Sequence, residues 1–132
     1  MAAFAALDVS KKSTSIHIVD EKGVCLWRGK TLTNPDALAE ALSPFSDDLA
    51  LVGLETGSWT TWLWHELTER GFPMVCMDAR QAHAALSVTI NKTDANDAQG
   101  LAHLLRTGLF RKVRVKGWED VQKRTLLRAR ST

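Results

Sequence analysis

Two carboxylates, Asp94 and Asp97, stand in the polar stretch Asn91-Lys92-Thr93-Asp94-Ala95-Asn96-Asp97-Ala98, which opens into the helical pattern Gly100-Leu101-Ala102-His103-Leu104-Leu105. Thr93 fits the N-cap of that helix, so both acids fall in its first turn and point the same way, beside Ala98, Leu101 and Leu105. Acids at that place are favoured by the helix dipole alone, for about 0.3 to 1 kcal/mol each. Two further acids lie where no dipole accounts for them. Asp8 is embedded between Leu7 and Val9, and Glu55 closes the apolar run from Leu49 to Leu54. Asp is depleted in strands, and a buried carboxylate without a partner is costly. The sequence supplies no matching arginine beside either acid, whereas a divalent cation neutralises several acids at once. Four clustered carboxylates form a hard oxygen site suited to Mg²⁺ or Mn²⁺. Two such ions about 4 Å apart activate an attacking oxygen and stabilise a leaving oxygen in phosphodiester chemistry. For Asp8 alone, a hydrogen bond to the next loop is the competing explanation, and for Glu55 alone, a turn.

These acids need elements to deliver them. Residues 2–9 read as a strand apolar on both sides up to Asp8, as in a central strand covered on both faces. Residues 14–19 and 24–28 read as two more strands, joined by the turn Asp20-Glu21-Lys22-Gly23, which completes an antiparallel meander. Asn34-Pro35 starts a helix with Leu38, Leu42 and Phe45 on one face, and residues 49–54 form a buried fourth strand. Ser58 is placed to cap a helix whose Trp59, Trp62, Leu63 and Leu67 share a face, ending at Gly71, with Trp64 pointing away as a possible interface. Residues 72–77 give a fifth strand, and residues 78–90 a short helix and loop. The expected fold is α/β, a mixed five-stranded sheet with helices on both faces. Right-handed crossovers set the fourth strand parallel to the first. Asp8 and Glu55 then share the carboxyl edge, where open α/β sheets bind ligands.

The chain has 132 residues, 45% hydrophobic and 24% charged, which describes one ordinary globular domain. No apolar run reaches the roughly 18 residues of a membrane span. The amino-terminal segment lacks a basic n-region, so no signal peptide and no membrane association are expected, and the cytoplasm is the expected compartment. Cys25 and Cys76 lie in apolar runs without a metal-ligand spacing and read as buried free thiols. The net charge of +2 conceals an asymmetry. Residues 1–110 carry nine Lys and Arg against thirteen Asp and Glu, a balance of −4; residues 111–132 carry eight against two, a balance of +6. Neither GxGxxG nor GxxxxGK[ST] occurs.

The blocks Leu7-Asp8-Val9-Ser10-Lys11, Leu54-Glu55-Thr56-Gly57 and Lys92-Thr93-Asp94-Ala95-Asn96-Asp97-Ala98, in that order, resemble the amino-terminal DEDD domain of the bacterial insertion-sequence 110 group of transposases. The resemblance implies a RuvC-like, ribonuclease-H-like fold, with Asp8, Glu55, Asp94 and Asp97 as catalytic metal ligands for Mg²⁺ or Mn²⁺. It also implies DNA recombination guided by an RNA that the element encodes, assembly as a homo-oligomer, and a helical segment followed by a carboxyl-terminal domain with a serine nucleophile. Residues 1–110 then form the catalytic domain, and residues 111–132 a basic strand and the start of a connecting helix. The expectation is a truncated chain that binds metal and nucleic acid without completing transposition.

Lys11, Lys12 and Lys92 flank the acids and are candidates for phosphate contacts, although turn lysines are commonly just solvated. Arg111, Lys112, Arg114 and Lys116 alternate with apolar residues, as on an edge strand with one charged side. His17, His65, His83 and His103 do not cluster by spacing and read as structural. An alternative is an actin-like or sugar-kinase-like ATPase domain, which shares the meander and its acid. Its phosphate-gripping turn is glycine-rich, however, and here the turn is Ser10-Lys11-Lys12-Ser13. Another alternative is a non-catalytic nucleic-acid-binding or assembly module whose acids only hold structure.

Overall fold

A computed structural model describes residues 2–89 and 97–115, the side chains of 85–89 and of residue 97 excepted. The strands are β1 (Ala3–Val9), β2 (Ser13–Asp20), β3 (Cys25–Leu32), β4 (Leu49–Glu55), β5 (Met74–Met77) and β6 (Lys112–Val113). The helices are α1 (Pro35–Leu42), α2 (Thr60–Glu69), α3 (Ala79–Thr89) and α4 (Asp97–Thr107), with a 3-10 turn at Ser43–Phe45. The strands form one six-stranded sheet in the order β3-β2-β1-β4-β5-β6. Among the described residues the sheet therefore has six strands and not the five expected. The additional one is β6, only two residues long, antiparallel to β5 with Val113 opposite Cys76 and Lys112 opposite Met77. Of the described residues 111–115 in the basic alternating stretch, 112 and 113 are strand; Lys116 lies outside the described residues, as does the start of the expected connecting helix.

β1 is the central strand because both of its faces are apolar. Ala5 and Leu7 join Ile16, Ile18, Leu38, Leu42, Leu63 and Leu67 on the side covered by α1 and α2. Ala6 joins Val19, Met77, Ala82, Leu101, Leu104 and Leu105 on the side covered by α3 and α4. Small residues set how closely α4 approaches. Ala6 of β1 and Gly53 of β4 are register partners, and a Cβ on Gly53 would stand 2.9 Å from Leu105 Cδ1 and 3.0 Å from Met77 Cε. The missing side chain leaves the depression that Leu105 fills.

Helix starts follow local chemistry. Asn34 caps α1, its Oδ1 accepting from Ala37 N at 2.7 Å, with Pro35 at the first helical position. α2 begins at Thr60 and not after a capping Ser58; Trp59 holds the N-cap position without a side-chain hydrogen bond. The Thr60 hydroxyl instead reaches back to donate to Glu55 O at 2.7 Å. Trp59 consequently stays out of the apolar face and is exposed, touching Trp62 edge-on at 6.4 Å, whereas Trp64 packs against the core instead of pointing away. Cys76 is buried as expected, but Cys25 is exposed, because β3 is an edge strand. Thr93, the expected cap of the last helix, lies outside the described residues, and α4 is described from Asp97.

Introducing a methyl group at the seat of α4 tests this packing. Gly53→Ala is expected to destabilise the chain by about 1 kcal/mol, toward the low end of overpacking costs because the facing atoms end flexible side chains. Urea unfolding measures the difference, and an unchanged midpoint would show that the depression is not filled as described.

Candidate functional site

The geometry of the site begins with strand register. β1 and β4 pair in parallel, with Ala6 opposite Gly53 and Leu7 opposite Leu54. One residue further along both strands stand Asp8 and Glu55. Side chains alternate along each strand, so Asp8 shares a face with Ala6, and Glu55 with Gly53. Both acids thus project from the sheet face that carries α3 and α4, at the carboxyl edge. Both line one cavity of about 250 Å³, together with Thr56, Trp59 and Thr60. Each is partly exposed, as a ligand-binding carboxylate must be.

Glu55 is held from several sides. Its carbonyl accepts from the buried Thr60 hydroxyl, and the next residue, Thr56, donates its N–H to Met77 O at 3.0 Å. The Thr56 hydroxyl oxygen accepts from Ala79 N at 3.1 Å, tying the start of α3 to the end of β4. Asp78 caps α3 by accepting from Gln81 N at 2.9 Å. Gln81 Oε1 in turn accepts from Arg111 N at 2.8 Å, and Asp78 N donates to Arg111 O at 2.8 Å. One turn into α3, His83 Nε2 lies 3.1 Å from Glu55 Oε2. Sequence spacing dismissed His83, because 28 residues separate it from the acid it touches. The signal that was present is Asp78, a capping residue straight after a strand at the same sheet edge, which aims the first turns of α3 across Glu55.

α4 reaches the same edge from the other side. Ala98 and Gln99 of its first turn share a cavity with Ser15, and Ser15 is the register partner of Asp8. The other end of α4 approaches the β2–β3 hairpin, where Arg106 meets Gly23. Asp97, the first residue of α4, therefore starts the helix at the end of the sheet that bears Asp8 and Glu55. Asp94 and Lys92 lie outside the described residues. Among the described residues no three His, Cys, Asp or Glu side chains form a metal-holding group, and of the four expected acids Asp8 and Glu55 have described side chains.

The expected nucleic-acid contacts sit around this edge. Lys11 and Lys12 are exposed in the β1–β2 turn, directly after the strand that carries Asp8. Arg111, Lys112 and Arg114 are exposed beside β5, on the far side of Glu55, with Val113 and Val115 turned inward. Cys76, opposite Leu54 in the β4–β5 pairing, lies beneath the acids. Burial first, then the charges of Asp78 and Glu55, push its thiol up to about 11.

The comparisons with known proteins agree with this architecture. A family profile described as a transposase, that of the DEDD insertion-sequence 110 group, matches residues 5–132. RuvC from T. thermophilus, solved in complex with a Holliday junction substrate, superposes with a TM-score of 0.59 at 14% identity, over 86% of this chain and 100% of that one. The large terminase nuclease of thermophilic phage G20c, solved with bound zinc, superposes with a TM-score of 0.51 at 13% identity, over 82% of this chain and 61% of that one. No curated protein sequence matches the chain. The RuvC-like fold expected from the sequence is thereby shown.

The contrast between the two thiols gives a direct check. At neutral pH Cys76 is expected to remain protonated and buried while Cys25 reacts. Maleimide labelling read by mass spectrometry should modify one of the two cysteines in the folded chain and both in denaturant. Rapid native labelling of Cys76 would contradict the burial of that thiol.

Proposed function

Because the chain belongs to the transposase family of the DEDD insertion-sequence 110 group, we propose that its RuvC-like fold performs divalent-metal-dependent phosphodiester chemistry on DNA. The observation that carries this proposal is the adjacency of Asp8 and Glu55 at the carboxyl edge, with the first turn of α4 arriving beside Ser15, the partner of Asp8. Asp94 and Asp97 complete the proposed ligand set, because the Lys92–Ala98 block that contains them resembles the family's motif. The donors suit the ion, since carboxylate oxygens on a partly open edge match Mg²⁺ or Mn²⁺, which retain waters and take phosphate oxygens as further ligands. The zinc in the terminase nuclease and the Holliday junction on RuvC support a divalent cation and a DNA substrate.

Bound there, the cations would activate an attacking oxygen and stabilise the leaving one. The chain's own contribution is positioning. The Asp8 backbone is paired with Ser15 of β2 and follows Leu7, which is paired with Leu54 of β4, and Glu55 is anchored through Thr60 and Thr56. His83 hydrogen-bonds a carboxylate oxygen of Glu55 and so restrains its rotamer. Lys11 and Lys12 on one flank of the edge and Arg111, Lys112 and Arg114 on the other supply cations for the DNA backbone, with Lys92 and Lys116 as further candidates from the sequence. Guidance by an element-encoded RNA, assembly of several copies, and a carboxyl-terminal domain bearing a serine nucleophile complete the proposed transposase.

Titration of the chain with Mn²⁺ tests the site without requiring turnover. Asp8→Asn with Glu55→Gln preserves shape while removing two negative charges. It is expected to weaken Mn²⁺ binding at least tenfold, about 1.4 kcal/mol, by isothermal calorimetry. Equal affinity in the altered and unaltered chains would sink the assignment.

A further inference from the structure

β2 and β3 have two faces of opposite character. Ile16 and Ile18, with Trp27 packed beside them, feed the core under α1 and α2. The other face, beside α4, presents Ser15 and His17 from β2 and their register partners Lys30 and Arg28 from β3. An edge strand that turns two cations toward a neighbouring helix leaves that side uncovered by apolar packing.

Two cavities, of about 380 and 420 Å³, lie along this face and share His17, Arg28 and Gln99, so together they form one groove between β3 and α4. Lys30 and Ser15 line it near the first turn of α4, and His103 and Arg106 near the last. Among the described residues neither cavity is lined by Asp or Glu. Arg106 is fitted to its place. His103 Nδ1 lies 3.4 Å from Arg106 Nη2, and a Cβ on Gly23 would stand 3.2 Å from Arg106 Nε. Gly23, at φ +87°, both makes the hairpin turn and leaves room for the guanidinium.

A concave surface with three permanent cations and no carboxylate among its described lining residues selects an anion. Its length says which kind. From Ala98 to Arg106, α4 rises about 12 Å, a distance that spans roughly three to four phosphates of a duplex strand and far exceeds one phosphate ion. Its direction leads to the acids, because Lys30, Ser15 and Asp8 are consecutive partners across β3, β2 and β1, about 10 Å from first to last.

We propose that this groove holds the phosphodiester backbone of a nucleic-acid strand running from the β3 edge to the Asp8–Glu55 site. The inference rests on the chain being a nucleic-acid enzyme, but its chemistry is separate from metal binding. Arg28 and Lys30 contact phosphates from β3, Arg106 contacts them from α4, and His17, His103 and Gln99 supply polar groups between.

The test is fluorescence anisotropy of the full chain with a short DNA duplex and, separately, a single-stranded RNA, over a range of salt and with chelator present. Arg28→Gln with Arg106→Gln is compared with Arg28→Gln with Lys30→Gln. The second pair alters only exposed edge-strand residues, so it reports even if loss of Arg106 harms folding. Arg70→Gln, whose guanidinium pairs with Asp36 and Glu66, is the control. Each double variant is expected to flatten the slope of log affinity against log salt by about 1.8 for duplex DNA, or about 1.4 for single-stranded RNA. For the duplex this corresponds to an affinity loss on the order of 50-fold near ~0.1 M salt. The arm in which the slope changes identifies the strand. Slopes unchanged in both arms, losses no larger than that of Arg70→Gln, or no binding by the unaltered chain overturn the proposal. Chelation makes the result independent of the Mn²⁺ titration, so failure of the groove is distinguishable from failure of the acid site.

Discussion

The parallel pairing of β1 with β4 is the constraint on which the arrangement depends, and its register is not uniform. Ala3 stands opposite Leu49, whereas Phe4 stands opposite Leu51, so β4 carries one additional residue at the start of the pairing. Such a bulge offsets everything that follows by one position. Without it, Asp8 would face Leu54, and Glu55 would face Val9. Because side chains alternate with a period of two, a one-residue slip would also put the Asp8 and Glu55 side chains on opposite faces of the sheet. The meeting of two acids on the α3–α4 side is therefore set some four residues earlier, where chain geometry and not charge decides.

Small residues translate that register into the position of α4. Ala6 and Gly53 sit side by side on the same face, and Leu105 settles into the space they leave. A helix seated at one point by Leu105 and bounded at its end by the contact of Arg106 with Gly23 has little freedom to slide. Its first turn then falls at the carboxyl edge. The same economy of side chains serves α3, whose start is tied to β4 through Thr56 and to the β6 segment through Asp78, Gln81 and Arg111. Backbone hydrogen bonds at the rim thus rigidify the surroundings of Glu55, while its carboxylate remains partly exposed.

The sheet also separates functions by face and by edge. The α1–α2 side of β2 and β3 is apolar and structural; the α4 side is cationic and open. The acids at the carboxyl edge lie between this groove and the exposed basic residues next to β6. An anionic polymer crossing the molecule would meet positive charge on both flanks of a negative centre, which is the distribution that a cation-dependent reaction on phosphates requires.

Much of this was legible in the residues. Alternation and apolar runs marked the five longer strands, Asn34-Pro35 marked α1, and the misplaced acids Asp8 and Glu55 marked the edge, because period, capping and the cost of burying charge are local properties. Ser58, Trp59 and Trp64 were assigned wrongly because Thr60 bonds back to Glu55 and shifts the start of α2, a contact that spacing does not encode. Cys25 was misjudged because an apolar strand residue is buried only if its strand is internal, and β3 is at the edge. The alternation of residues 111–116 marked the basic edge strand, of which β6 is the two-residue part that pairs with β5. His83 on Glu55 and the groove of Arg28, Lys30 and Arg106 were invisible for a common reason: each joins residues distant along the chain that become neighbours only through strand order and helix seating. The sequence by itself determined which elements form and which residues carry charge into them. Only the tertiary structure decided which charges meet, because register and crossover placement are summed over contacts that no single stretch contains.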